Sequence, residues 1–84
     1  MIAKRMFKVA NSVGSEIAID GSAGLRFENE LECSKFAKAK AKSIGAGEGY
    51  LIAFPIFVLE VPQEKGESLF FDLGTPVPVQ RAKT

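Results

Sequence analysis

The chain has 84 residues, 46% hydrophobic and 25% charged, with 11 basic side chains against 10 acidic ones and a formal net charge of +1. That length allows one domain with a small core, and that balance leaves no overall field to draw the protein to nucleic acid or to an anionic membrane. A single cysteine and the lack of histidine exclude an internal disulfide and any recognisable zinc, haem or iron–sulfur ligand set, so no cofactor and no metal are expected.

A domain this small with neither disulfide nor metal often gains stability by oligomerising. The N-terminal stretch MIAKRMFKVANSVGS has the positive flank of a signal peptide, but Lys8 and Asn11 interrupt the apolar stretch it would need, which implies a cytoplasmic protein. No membrane segment is expected either. The longest apolar run, residues 50–61, contains Pro55 and Glu60 and falls well short of the roughly 20 residues that span a bilayer as a helix.

In chain order, RMFKVA and EIAID flank the turn NSVGS, and alternation across a Gly-containing turn predicts a β-hairpin. The breaker cluster GSAG (residues 21–24) follows, and then a short extended stretch, LRF. Asn29 with Glu32 three residues on forms a capping-box pattern. A helix is predicted from there to about Ile44, closed by Gly45 in the left-handed conformation. Glu28, Glu30 and Glu32 at its start and the lysines in its second half both suit the helix dipole.

The run YLIAFPIFVLEV reads as a strand bent or bulged at Pro55, because proline has no N–H to give to a ladder. PQEKGE is a loop, and SLFFDL is a last strand returning as a hairpin. The expected fold class is α+β in the order β-β-α-β-β, one helix packed on one face of a mainly antiparallel four-stranded sheet. Residues 1–74 would form the domain, and residues 75–84, GTPVPVQRAKT from Gly74 onward, an extended Pro-containing tail or an edge segment.

Three features invite a chemical reading. SKFAKAKAKS resembles a nucleic-acid-binding helix, but at 100° per residue Lys35, Lys38 and Lys42 gather opposite an apolar arc of Cys33, Phe36, Ala37, Ala41 and Ile44. That is a solvated basic face without the arginines or stacking aromatics that nucleic acid recognition uses; only Lys40 falls on the apolar side. GAGEGY begins like a phosphate loop, but Tyr50 stands where the third glycine belongs and the loop follows a helix instead of opening one. Cys33 sits in the first helical turn, where the dipole favours a thiolate, yet no histidine can serve as its base and its place on the apolar arc marks a core residue. No catalytic residue is assigned, and the chain is not expected to be an enzyme.

The informative feature is an excess of apolar side chains near the C-terminus. Alternation sends Tyr50, Ile52, Phe54, Ile56 and Val58 one way and Leu51, Ala53, Phe57, Leu59 and Val61 the other, while Phe70 opposes Leu69, Phe71 and Leu73. A helix of this length, about 24 Å by 10 Å, covers less than one face of such a sheet. The candidate interface is therefore Leu51, Ala53, Phe57, Leu59 and Phe70, and the expected function is a small protein–protein interaction module pairing with itself through the C-terminal hairpin, or with another protein. Two alternatives stand beside it. One is a nucleic-acid-binding protein using Lys35, Lys38 and Lys42 with the terminal bases Lys4, Arg5, Arg81 and Lys83. The other comes from size and layout alone: the chain resembles the compact single-domain proteins of phages and other mobile elements, some of which inhibit a host protein by occupying its surface.

Overall fold

The computed structural model describes residues 2–16 and 24–82. Five strands and one helix follow in the order β1 (Ile2–Ala10), β2 (Leu25–Arg26), α1 (Glu30–Ser43), β3 (Ile52–Val61), β4 (Leu69–Asp72) and β5 (Pro78–Arg81). They form one sheet in the spatial order β1-β3-β4-β5-β2. The β1–β3, β3–β4 and β4–β5 pairs are antiparallel, and β2–β5 is parallel. Just past β2, Phe27 exchanges two backbone hydrogen bonds of 2.8 Å with Phe7 of β1. The sheet thus curls until its two ends meet at this pair of residues.

The fold is α+β as the sequence pattern implies, but the sheet, mixed through its one parallel pair, has five strands where a mainly antiparallel sheet of four was expected. Both additions come from segments too short or too proline-rich to show an alternation. β2 has two residues, and β5 comes from the stretch read as a tail. Gln80 and Ala82 donate to Gly24 and Arg26 on the β2 side. Pro78 shares their parity, so its missing N–H points away from β4, where a ladder bond would otherwise be lost.

Pro55 does not bulge the third strand. The pairing of β1 with β3 runs without a break from Ile2 with Glu60 to Ala10 with Ile52, and Pro55 lies opposite Phe7. Phe7 spends its backbone groups on Phe27, so the Phe7–Pro55 pair is of the non-hydrogen-bonded kind and no donor is missed. On the other side of β3, the last bond made by the β4 strand region is Leu73 N–H to Phe57 C=O at 3.0 Å, short of the proline.

At the end of β1, Asn11 Oδ1 accepts from the N–H groups of Val13 (3.1 Å) and Ser15 (2.9 Å), and a bridge joins Ala10 to Glu16. The strand expected over Ile17–Ile19 lies outside the described residues. Gly14 in this turn has φ +85°, and a Cβ built there would stand 2.9 Å from the Phe54 ring. Gly14→Ala therefore meets both a left-handed backbone and an aromatic ring, and the urea midpoint is expected to fall by the equivalent of about 1–2 kcal/mol.

The helix forms where its caps place it. Asn29 Oδ1 accepts from Glu32 N–H at 3.0 Å. At the other end Gly45, φ +73°, donates to Lys42 C=O and Ala46 donates to Ala41 C=O at 2.8 Å, the paired bonds of a Schellman closure. Cys33, Ala37 and Ala41, four residues apart, are buried. These small side chains let α1 lie close against Leu51, Val9 and Ala46. Phe36 stands at the margin, its ring 5.3 Å from that of Phe27, and Ile44, expected on the apolar arc, is exposed.

Candidate functional site

Residues paired directly across a strand point to the same side of a sheet, so the registers sort the side chains into an inner and an outer face. Met6 with Ile56, then Lys4 with Val58 and Asp72, then Ile2 with Glu60, Phe70 and Val79, form the rows that turn inward. Met6, Val58 and Phe70 are buried there, with Ile56 and Val79 packed against them. This inner core is separate from the one beneath the helix, which lies on the outer face over Val9.

The outer face beyond the helix also falls into three rows. Arg5 and Phe57 make the first, joined by Leu73 through its bond to Phe57. Ala3, Leu59, Phe71 and Pro78 make the second across four strands, and Val61 with Leu69 the third. Leu73 is 59% exposed, Phe57 51% and Leu69 44%, while Leu59, Val61 and Phe71 are half-buried. Among the described residues the face holds one charge, the Arg5 guanidinium, set 5.8 Å from the centre of the Phe57 ring. Rows about 6.8 Å apart and strands about 4.8 Å apart give an apolar area of roughly 300–400 Å² in projection.

The five residues proposed from sequence for the interface are not brought together. Phe57 and Leu59 belong to this outer face. Leu51 is buried against Ala37 and Ala41, and Phe70 is buried in the inner core. Ala53 is half-buried beside Glu30, Leu31 and Ser34 at the start of α1. Reading one face as continuous along β3 missed that the helix covers only the N-terminal part of that strand. Leu73, Phe71, Leu69 and Pro78 complete the exposed face instead, and their alternation with buried Phe70 was the signal present in the sequence.

Inside the curl lies a buried charge. Arg26, 3% exposed, enters from β2 and makes two hydrogen bonds to Asp72, Nε to Oδ1 at 2.9 Å and Nη2 to Oδ2 at 2.7 Å. Two more go to Glu16, Nη1 to Oε2 at 2.8 Å and Nη2 to Oε1 at 3.1 Å, and Nη1 also reaches Leu25 C=O at 3.1 Å. Gly24 N–H donates to Glu16 Oε2 at 2.8 Å. Burial opposes the charge on Arg26, but its bonds to Asp72 and Glu16 outweigh that and raise its pKa. Burial likewise pushes Glu16 up, and the bonds from Arg26 and Gly24 more than reverse it, so the carboxyl titrates below its ordinary range. Asp72 is committed to this ion triad.

The remaining candidates differ in their surroundings. Burial pushes the Cys33 thiol up to about 12, which leaves no thiolate at neutral pH. Lys35, Lys38 and Lys42 are exposed along α1, as the helical spacing implies. Lys40 is half-buried, its ammonium 5.3 Å from the Phe36 ring centre. Of the terminal bases, Lys4 lies 3.1 Å from Glu28 and 3.2 Å from Glu60, and Arg81 lies 3.8 Å from Glu28 and over the Phe70 ring; Lys83 is outside the described residues. Hydrogen bonds to Glu28 and Glu60 raise the pKa of Lys4, and bonds from Ser68 and Lys4 hold Glu60 low.

An open groove of about 550 Å³ runs past Glu60, Ser68, Phe70, Val79 and Arg81. Of its charged groups, Glu60 is paired with Lys4 and Ser68 and Arg81 with Glu28, while Glu67 stands exposed at its margin. Among the described residues no group of three or more His, Cys, Asp or Glu could hold a metal ion, and no helix is long and apolar enough to cross a membrane. No protein-family model, curated protein or solved structure matches this chain.

Proposed function

We propose that this chain is a small non-enzymatic interaction module whose working surface is the outer face of β1, β3, β4 and β5. The observation that carries the reading is the three-row apolar face, with Phe57, Leu69 and Leu73 each more than two-fifths exposed. An area of roughly 300–400 Å² falls within the range of the largest apolar patch on a typical monomer, which is often functional. Neither device that could hide it within the described chain operates. The alternation is not reset at Pro55, and the Pro-containing segment joins the sheet as β5 while Val77 stays 66% exposed.

The reading is tested by placing charge in the middle of the face. In the double variant Phe57→Asp/Leu73→Asp both side chains start from exposed positions, so the circular dichroism spectrum is expected to match that of the wild type. Every protein association the wild type shows is expected to weaken at least tenfold. Undiminished association in a folded double variant would overturn the reading. Phosphate binding by Lys35, Lys38 and Lys42 has less behind it, because Lys4 and Arg81, the bases that would extend that patch, are already held by carboxylates.

A further inference from the structure

We infer that the free edge of β1 over residues 2–6 takes an extended acidic peptide as an added strand. The inference rests on the reading of the outer face as an interaction surface, because the strand is added where that face ends and continues its rows.

The registers leave this edge open. β3 covers one side of β1 along its whole length, and among the described residues the other side is bridged only at Phe7, to Phe27, and at Ala10, to Glu16. Backbone groups alternate in direction along a strand, so Ala3 and Arg5 share the parity of Phe7 and each turn an N–H and a C=O to the open side. Both residues are exposed. β2 and Phe27 run beside β1 only as far as Phe7. Past Phe27 the chain bends away into α1, whose first residues, Glu30 and Leu31, stand beside Ala53, opposite Val9 and away from Ala3. Among the described residues nothing pairs with the backbone of Ala3 and Arg5 on this side, and an extended segment laid there meets two donors and two acceptors in ladder order.

Charge selects the occupant. Among the described residues the Arg5 guanidinium meets the Phe57 ring and no carboxylate. A side chain opposite Arg5 on an added strand points to the same side, so an aspartate or glutamate there reaches a cation without an ionic partner. The next side chain on that face, opposite Ala3, joins the row of Leu59 and Phe71 and is suited to be apolar. The residue between them turns into the mouth of the curl beside Lys4, which already meets Glu28 and Glu60, and needs no charge. A second copy suits the edge less well. Two-fold antiparallel pairing of Ala3 with Arg5 sets Lys4 opposite Lys4, and like charges directly opposed destabilise a strand pair.

The test is fluorescence anisotropy at low ionic strength with labelled peptides of threonine and valine built around a glutamate, around a lysine in its place, or around the glutamate but N-methylated along the backbone. The wild type is expected to bind the glutamate peptide at least about tenfold more tightly than the other two. Ala3→Pro removes the outward N–H without costing a bond to β3, because Ala3, like Phe7, lies in a non-hydrogen-bonded pair with that strand. Ala3→Pro and Arg5→Glu are each expected to weaken the binding at least about tenfold with an unchanged circular dichroism spectrum, and Arg5→Lys to keep it within about threefold. Binding that the lysine or the N-methylated peptide matches would overturn the inference, and those comparisons leave the fold of the chain untouched. So would binding that survives undiminished in folded Ala3→Pro and Arg5→Glu, or a wild type that binds no peptide at millimolar concentration. If no peptide binds while Phe57→Asp/Leu73→Asp still weakens another protein association, strand addition falls and the reading of the outer face stands; if that double variant weakens none, both fall.

Discussion

Arg26→Ala is expected to lower the urea midpoint at 25 °C by the equivalent of about 3–5 kcal/mol. The guanidinium is 3% exposed and supplies four hydrogen bonds to two carboxylates that sit partly buried beside it. Removing it strands Glu16 and Asp72 in the curl of the sheet with no cation to offset them, and breaking a buried pair in this way costs about 3–5 kcal/mol. A domain of this size has a total stability on the order of 5–10 kcal/mol, so one substitution removes much of it. Replacing all three members together with apolar residues of similar volume (Glu16→Leu, Arg26→Met, Asp72→Leu) is expected to recover most of the lost urea midpoint, because the cost lies in the unpaired charges and not in the loss of the pair. If the single variant folds as tightly as the wild type, the triad is not the keystone that its geometry makes it.

The same triad sets the response to acid. Glu16 titrates below its ordinary value in the folded chain, so its contribution is complete above about pH 4.5, its ordinary value, and is lost as the pH falls through that value towards the folded one. Arg26 stays protonated throughout this range. The urea midpoint is therefore expected to hold from pH 7 to about pH 5 and to drop below it. In Glu16→Gln the drop is expected to be shallower, from a lower starting point.

Met6→Ala carries the second large effect, and it tests which face of β1 is inside. Met6 is 0% exposed and packs with Val58, Phe70, Ile56 and Val79, which come from three other strands. Those strands are tied into a closed curl, so the surroundings cannot collapse into the space left behind. The expected loss is about 3–4 kcal/mol, in the upper part of the range for large-to-small core changes. Met6→Leu, which nearly conserves volume, is expected to cost less than about 1.5 kcal/mol. Phe57→Ala removes a larger side chain from the outer face, yet at concentrations where the chain is monomeric its loss should be small, within about 0.5 kcal/mol. Equal losses for Met6→Ala and Phe57→Ala would mean that inner and outer faces had been assigned wrongly.

Much of the local structure was legible in residue order. Asn29, Glu32 and Gly45 marked both ends of the helix because capping is a contact between neighbours in sequence, and four-residue spacing separated Cys33, Ala37 and Ala41 from Lys35, Lys38 and Lys42. Composition and alternation likewise identified the C-terminal strands as carrying more apolar surface than one helix can cover. The effect of Pro55 was not legible. Whether a missing N–H matters depends on which side of the strand it faces, and that is decided by the pairing of Phe7 with Phe27, residues far from it in the chain.

The candidate site shows the same division. Phe57 and Leu59 were visible as surplus apolar residues, and Leu51 and Phe70 were equally apolar, so no property of the residue types could tell the exposed pair from the buried one. The register of β4 on β3 and the position of α1 over one end of the sheet separated them. Arg26 and Asp72, 46 positions apart, met only because the parallel contact of β2 with β5 brought the sheet round on itself. The amino-acid sequence by itself determined the caps, the periodicities, the single cysteine without any histidine and the surplus of apolar surface, since each is a property of near neighbours or of composition. Tertiary structure alone decided which of those surfaces is core, which is left open, and where a buried arginine finds two carboxylates, because each of these depends on how distant strands are placed side by side.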